Sequence, residues 1–235
     1  VESLIAGEDP APPAPAKSDR KVEAAENLFN LIEEEKRKGE PLWEQIDRML
    51  PFSLTGAQRR VIGEVFGDME RPFPMNRLVQ GDVGSGKTMV ALHALLRAVE
   101  AGKQGAFLAP TEILARQHYA NLQASLAGLP VNVAILTGRD KGRVRESTLM
   151  GLADGSIDIL VGTHAIFQDA VTYRDLALVV VDEQHRFGVA QRLMLTQKAE
   201  APPHLLVMTA TPIPRTLTLS NYGEMDVSRL DEMPP

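Results

Sequence analysis

Residues 77–88 read Arg77-Leu78-Val79-Gln80-Gly81-Asp82-Val83-Gly84-Ser85-Gly86-Lys87-Thr88. A short apolar strand runs into a glycine-bearing loop, and a helix is predicted to begin near Lys87. Residues 81–88 match G-x-x-x-x-G-K-[ST] at every fixed position. Gly81, Gly84 and Gly86 are expected to permit backbone angles that a Cβ forbids. Successive N–H groups of Asp82, Val83, Gly84 and Ser85 then point into one concavity and bind phosphate oxygens. The helix that follows turns its positive end toward the same anion. Lys87 reaches the β- and γ-phosphates of a nucleoside triphosphate, and the Thr88 hydroxyl ligates Mg²⁺. The competing reading is a strand-to-helix turn with an incidental lysine. It is disfavoured because the strand and the helix the motif requires flank the loop on both sides.

The surroundings suit a nucleotide-binding α/β domain. The 235 residues fit one large domain, or one domain and an appendage, and a 44% hydrophobic share supports a sizeable core. There is no cysteine, which excludes disulfides and thiolate metal sites and fits a reducing compartment. No run approaches the roughly 18 apolar residues of a membrane span, so no membrane partner is expected. The five histidines are scattered, with no H-x-x-x-H pair, so no structural metal is expected either. The methionines read as core filler. The chain opens on Val1-Glu2 without a signal-peptide pattern and closes on Met233-Pro234-Pro235, which reads as a piece of something longer. Net charge is −6, concentrated in residues 1–50, where 7 Lys/Arg face 12 Asp/Glu. The remaining body is almost neutral, so any nucleic-acid contact there has to be local.

In order, residues 1–20 form a Pro/Ala-rich linker that cannot bury a core, and residues 21–50 a helical extension. Within it, residues 21–39 place Ala25, Leu28, Leu31 and Ile32 at helical spacing, and Pro41 starts a short helix through Trp43, Ile46 and Leu50. The Glu33–Lys38 charge run reads as a solvated face, and Trp43 as a packing residue. Residues 51–235 alternate strands and helices. Strands are predicted at 78–79, 106–109, 133–136, 157–161, 178–181 and 205–208, and helices at 88–101, 112–126, 142–153, 189–198 and 214–222. That alternation predicts βαβ units and a parallel sheet covered on both faces, binding its ligand beyond the carboxyl ends of the strands.

Leu178–Val181 is followed by Asp182-Glu183-Gln184-His185. A carboxylate emerging there suits Mg²⁺ beside Thr88, and Asp182 takes that role. Glu183 is assigned to orient and deprotonate the attacking water. Two acids also suit a plain helix start. The phosphate loop some ninety residues earlier favours the catalytic reading.

Together these stretches resemble the superfamily 2 helicases, whose D-E-x-H box matches residues 182–185. Leu54-Thr55-Gly56-Ala57-Gln58 resembles the Q-motif, implying that Gln58 reads the adenine edge with Phe52 stacked nearby. Ala109-Pro110-Thr111-Glu112-Ile113-Leu114-Ala115-Arg116-Gln117-His118 resembles motif Ia. Leu136-Thr137-Gly138 and Val161-Gly162-Thr163-His164-Ala165 resemble the two that follow it. The resemblance implies DNA contacts at Pro110, Thr111, Gln117, Gly138, Thr163 and His164. Thr209-Ala210-Thr211 resembles motif III, implying that Thr209, Ala210 and Thr211, with Gln184 and His185, couple hydrolysis to strand movement. Within the superfamily, residues 79–88, 162–168, 182–189, 209–216 and 231–235 are similar to the RecG family of bacterial helicases. Ser85 and Gln184 distinguish them from the translocase module of transcription-repair coupling factors, the nearest competitor.

The implied fold is a RecA-like P-loop NTPase domain with a helical N-terminal extension. The implied cofactors are ATP and Mg²⁺. The implied activity is ATP hydrolysis coupled to movement on branched or duplex DNA (fork reversal, branch migration, recombination and repair) in a bacterial cytoplasm. The implied partners also include a second RecA-like domain and a wedge domain elsewhere in the parent protein. The second domain supplies an arginine finger, worth roughly 10³–10⁵ in rate, so the chain alone is expected to be nearly inactive. Spacing alone favours ordinary helix capping for Thr111, and only the ordered set of motifs turns it toward a phosphate grip. A non-motor nucleotide-binding regulatory module is the reading from a different class. A small-molecule kinase is weakened by Glu183 and by the absence of an arginine-rich lid.

Overall fold

The structure is a computed structural model and describes residues 39–182, 201–211 and 225–234. Its centre is a seven-stranded, all-parallel sheet in the order β3-β4-β2-β5-β6-β1-β7. The strands are β1 (Asn76–Gly81), β2 (Gln104–Leu108), β3 (Val133–Leu136), β4 (Ile159–Gly162), β5 (Leu176–Asp182), β6 (His204–Thr209) and β7 (Asp226–Leu230). The described helices are α1 (Leu42–Met49), α2 (Gly56–Met69), α3 (Lys87–Glu100), α4 (Glu112–Ser125) and α5 (Gly142–Asp154), with a 3₁₀ turn over His164–Phe167.

Side chains alternate across each strand, so neighbours feed opposite faces. Val79, Phe107, Val180 and Met208 enter a core with Val61, Val65, Leu92 and Leu95 from α2 and α3. Leu78, Ala106, Val179 and Val207 enter a second core with Leu152, Ile166 and Phe167. Because both faces are covered, the strands read as unbroken apolar runs instead of alternating ones. All six strands predicted from those runs are present, β3 with the predicted bounds and the other five with ends shifted by one or two residues.

Two described elements escaped the sequence reading. Helix α2 begins at a capping box: the Thr55 hydroxyl accepts from the Gln58 N–H at 3.1 Å, and the Gln58 side-chain carbonyl accepts from Thr55 N–H at 2.8 Å. Strand β7 lies at the sheet edge beside β1. Helix α1 joins the first core through the fully buried Ile46, and Trp43 meets Phe66 edge-on at 5.5 Å between ring centroids. The methionines divide. Met69, Met75 and Met208 are buried, whereas Met49, Met150 and Met233 are exposed, so the core-filler reading holds only for the first group. Below the sheet's amino edge, the buried His204 accepts a hydrogen bond from Met75 N–H through Nδ1 at 2.8 Å. Burial lowers its pKa to about 4, partly opposed by the Asp68 carboxylate.

Parallel register collects the chemistry on one edge. Leu136, Gly162, Leu108, Val181, Val207, Leu78 and Val227 form a continuous row across all seven strands. The motif residues at 80–88, 109–111, 137–138, 163–164, 182 and 209–211 lie at or beyond that row, on the carboxyl side, where ligands of open parallel sheets bind.

Candidate nucleotide and nucleic-acid site

The loop after β1 is held from several sides. Gly84 and Gly86 take left-handed φ values of 85° and 80°, which an L side chain adopts only at a cost. Gly86 is also closed by its neighbour, since a Cβ there would lie 1.9 Å from the Gln58 amide nitrogen. Gly81 departs from expectation. Its φ is not left-handed; instead a Cβ would stand 2.5 Å from Ser85 Oγ and 2.9 Å from Leu230 Cβ. It is a clearance glycine, and what it clears includes β7. Ser85 is buried and its hydroxyl makes no hydrogen bond among the described residues. Asp82, Val83 and Gly84 are exposed.

Lys87 is the first residue of α3. Its ammonium donates to the carbonyls of Gly81 at 2.6 Å and Asp82 at 2.8 Å, so the side chain curls back over the loop where phosphate would lie. Thr88, half-buried, follows in the first helical turn. The Gln58 amide is 1% exposed and donates to the Ser85 carbonyl at 3.2 Å, so both ends of its amide are engaged within the protein. Phe52 is exposed. The segment after β7 closes over this end: Asp231 pairs with Arg60 at 3.0 Å, and Glu232 accepts from Ala57 N–H at 3.2 Å.

Asp182 ends β5, half-buried, and its Oδ2 accepts a 2.7 Å hydrogen bond from Nε2 of His118 on α4. Thr88 and Asp182 offer a hydroxyl and a carboxylate, hard oxygen donors of the kind Mg²⁺ takes when phosphate and water complete its shell, so the residues fit that ion. Glu183, Gln184 and His185 lie outside the described residues, as do the helices expected over 189–198 and 214–222 and nearly all of the one over 21–39. At the end of β6, the buried Thr209 hydroxyl accepts from Thr211 N–H at 3.1 Å, with Ala210 between them half-buried. Gln80, which the sequence reading passed over, donates to the Thr211 carbonyl at 3.3 Å and ties that turn to β1.

The expected DNA-contacting residues gather on the β2–β4–β3 side. Thr111 is exposed and N-caps α4, accepting from Leu114 N–H at 3.3 Å. Pro110 precedes it, and Gln117 and Gly138 are exposed. The Gly138 loop is fixed by Asp140, whose Oδ2 accepts from the Thr137 N–H at 2.6 Å and hydroxyl at 2.9 Å. An Arg139–Glu112 ion pair of 2.9 Å joins that loop to the start of α4. Thr163 is half-buried and His164 exposed, at the mouth of the 3₁₀ turn. Gly162 beneath them admits no side chain: a Cβ would lie 2.1 Å from the Leu136 carbonyl. Reasoning from sequence also missed His118. Its signal was present, since 115, 118 and 122 share one helical face, and Ala115 and Leu122 are buried.

Comparison with known proteins agrees with this geometry. The DEAD/DEAH box helicase family model matches residues 55–219. The chain is 55% identical over 189 residues to the ATP-dependent DNA helicase RecG of Pasteurella multocida, covering 79% of this chain and 27% of that protein. It is 56% identical over 187 residues to RecG of Bacillus subtilis, covering 80% and 27%. It thus spans about a quarter of the length of these relatives. Among solved structures, RecG bound to a three-way DNA junction superposes with a TM-score of 0.72 at 42% identity, covering 92% of this chain and 31% of that one. The Pyrococcus furiosus Hef helicase domain shares the fold, with a TM-score of 0.57 at 22% identity. Residues 55–219 take in the phosphate loop, Asp182 and the Thr209–Thr211 turn, and on that match the chain belongs to the DEAD/DEAH box helicase family.

Proposed function

We propose that this chain is the ATP-binding motor domain of a RecG-type helicase that couples ATP hydrolysis to movement on branched DNA. One observation carries the reading: a phosphate loop whose lysine is folded onto its own carbonyls stands on the same sheet edge as a carboxylate and a row of strand-to-helix turns. The relatives' name, and the three-way junction bound in the RecG structure, support DNA as the partner.

In this reading the triphosphate replaces the Gly81 and Asp82 carbonyls as the partner of Lys87, which then opposes charge developing on the γ-phosphate. The loop N–H groups and the amino end of α3 hold the remaining oxygens. Thr88 and Asp182 would hold Mg²⁺, which when bound neutralises phosphate charge. Glu183 would take the proton of the attacking water. Thr111, Thr163, His164, Gln117 and Gly138 would grip the DNA backbone without reading sequence. A second RecA-like domain would complete the ATP site and a wedge domain would meet the fork.

The test is phosphate release by the intact protein with Mg²⁺-ATP, with and without a three-way junction. Stimulation by the junction is expected, and Lys87→Ala should lower turnover by about 10²–10³-fold. Nucleotide binding without any DNA-stimulated turnover in the intact protein would favour the non-motor module instead. The 235-residue chain alone should bind nucleotide weakly and hydrolyse it negligibly; robust DNA-stimulated turnover by this chain would overturn that expectation.

A further inference from the structure

His118 occupies a position that neither capping nor packing explains. It lies two turns into α4, the helix whose amino end carries Thr111 and whose outer face carries Gln117. Its ring is stacked at a tilt on Phe107 of β2, with centroids 4.5 Å apart, and Phe107 is fully buried. Nε2 meets Asp182 Oδ2 at 2.7 Å, while Nδ1 is buried and has no hydrogen-bond partner among the described residues. An imidazole with an apolar slot on one side and one polar partner directs that polarity at the partner alone. Since a carboxylate only accepts, Nε2 carries the proton of that bond. No other hydrogen bond engages the Asp182 carboxylate among the described residues. A core position facing Phe107 would be filled as well by leucine or phenylalanine, at no cost in unsatisfied polar atoms.

We infer that His118 is a positioning residue that joins the nucleic-acid face of α4 to the Mg²⁺ carboxylate. Resting on the function proposed above, the inference is that backbone contacts at the start of α4 and Asp182 at the end of β5 are mechanically one unit. A displacement of α4 along its axis carries the imidazole with it, because His118 belongs to that helix, while Phe107 of the static β2 limits how far the ring can swing to compensate. The hydrogen bond then changes the direction in which Asp182 offers its second oxygen. Groups that orient a metal ligand in this way typically alter metal affinity or activity 10–100-fold when removed.

The test uses the intact protein and two variants. His118→Gln keeps an N–H donor near the position of Nε2, whereas His118→Phe keeps the contact with Phe107 and removes the donor. The first readout is the Mg²⁺ concentration required for binding of a fluorescent ADP analogue. His118→Phe should raise it about 10-fold, and His118→Gln should stay within about 3-fold of the parent. The second readout is the ratio of ATP turnover with and without a three-way junction, which His118→Phe should reduce while junction affinity in the absence of nucleotide stays unchanged. An unchanged Mg²⁺ requirement in His118→Phe overturns the inference. So does an equal loss of thermal stability and nucleotide binding in both variants, which would mark a packing residue. If the parent itself shows no DNA stimulation, it is the functional reading that fails, and the Mg²⁺ titration still decides the role of His118.

Discussion

The two ends of the site edge are built by different means. At the proposed nucleotide end the backbone is fixed by exclusion: Gly86 is closed by Gln58, and Gly81 by Ser85 and Leu230. At the proposed DNA end, Gly162 apart, the side chains make ordinary local bonds. Thr111 caps its helix, Thr137 and Asp140 close a turn, and Thr163 and His164 open a 3₁₀ turn. A cradle of backbone N–H groups has to hold one shape for one charged ligand. A surface that grips a repeating phosphate chain needs only donors at suitable spacing. The first kind of site leaves a motif in the sequence, and the second leaves residues that also have local uses.

That contrast can be broken experimentally. The largest effect should come from Gly86→Ala. A left-handed residue costs about 1–2 kcal/mol and displacing the Gln58 amide a further 1–3 kcal/mol, so nucleotide affinity should fall about 100-fold by fluorescent-nucleotide titration. A loss below about 3-fold would show the loop to be more plastic than its geometry indicates. Gly162→Ala comes next. Its Cβ would meet the Leu136 carbonyl and the Ile166 side chain, at 2.1 and 2.3 Å, costing roughly 3 kcal/mol in chemical denaturation. A smaller value would mean that the DNA end contains no steric pin at all.

A third experiment separates both ends from the frame that carries them. His204 stays neutral in the folded protein down to about pH 4, whereas an unfolded histidine takes up a proton below about 6.5. Its contribution is therefore fully present above pH 6.5 and is lost as pH falls toward 4, by roughly 3 kcal/mol. His204→Asn should flatten that part of the stability–pH profile; an unchanged slope would remove His204 as its cause. The smallest effect belongs to Thr111→Ala, about 1 kcal/mol of stability as a lost N-cap. If DNA affinity falls while the half-buried Thr148→Ala control leaves it intact, Thr111 does more than cap. If affinity is unmoved, the cap is its whole role.

The sheet was readable because buried parallel strands are apolar on both faces, and runs such as Leu178–Val181 admit few other readings. Strand β7 was not, since Asp226, Val227 and Arg229 face outward at an edge and only Ser228 and Leu230 are buried. Helix α2 was obscured by Gly56, Gly63 and Gly67, which weaken helical propensity, although Thr55 and Gln58 announced its start. Gly81 is needed for clearance and not for a left-handed angle, and one of the two neighbours that exclude its side chain, Leu230, is 149 residues away. His118 shows the same limit. Its helical phase was visible, but a bond to Asp182 across 64 residues becomes apparent only when β2 and β5 lie side by side.

Strand β1 has a consequence for the order in which the protein is made. Its two neighbours are β6 and β7, which arrive only with residues 204–230. A chain emerging from the ribosome presents the phosphate loop early, with no strand on either side to pair with it. The β2–β4–β3 half can assemble from residues 104–162 while the nucleotide half waits, since non-local pairing closes late. On the proposed function, competence to hold ATP is thus acquired only once residues 204–230 have been made, when Leu230 settles against Gly81. Nascent chains halted before that point should carry the motif and fail to retain the nucleotide.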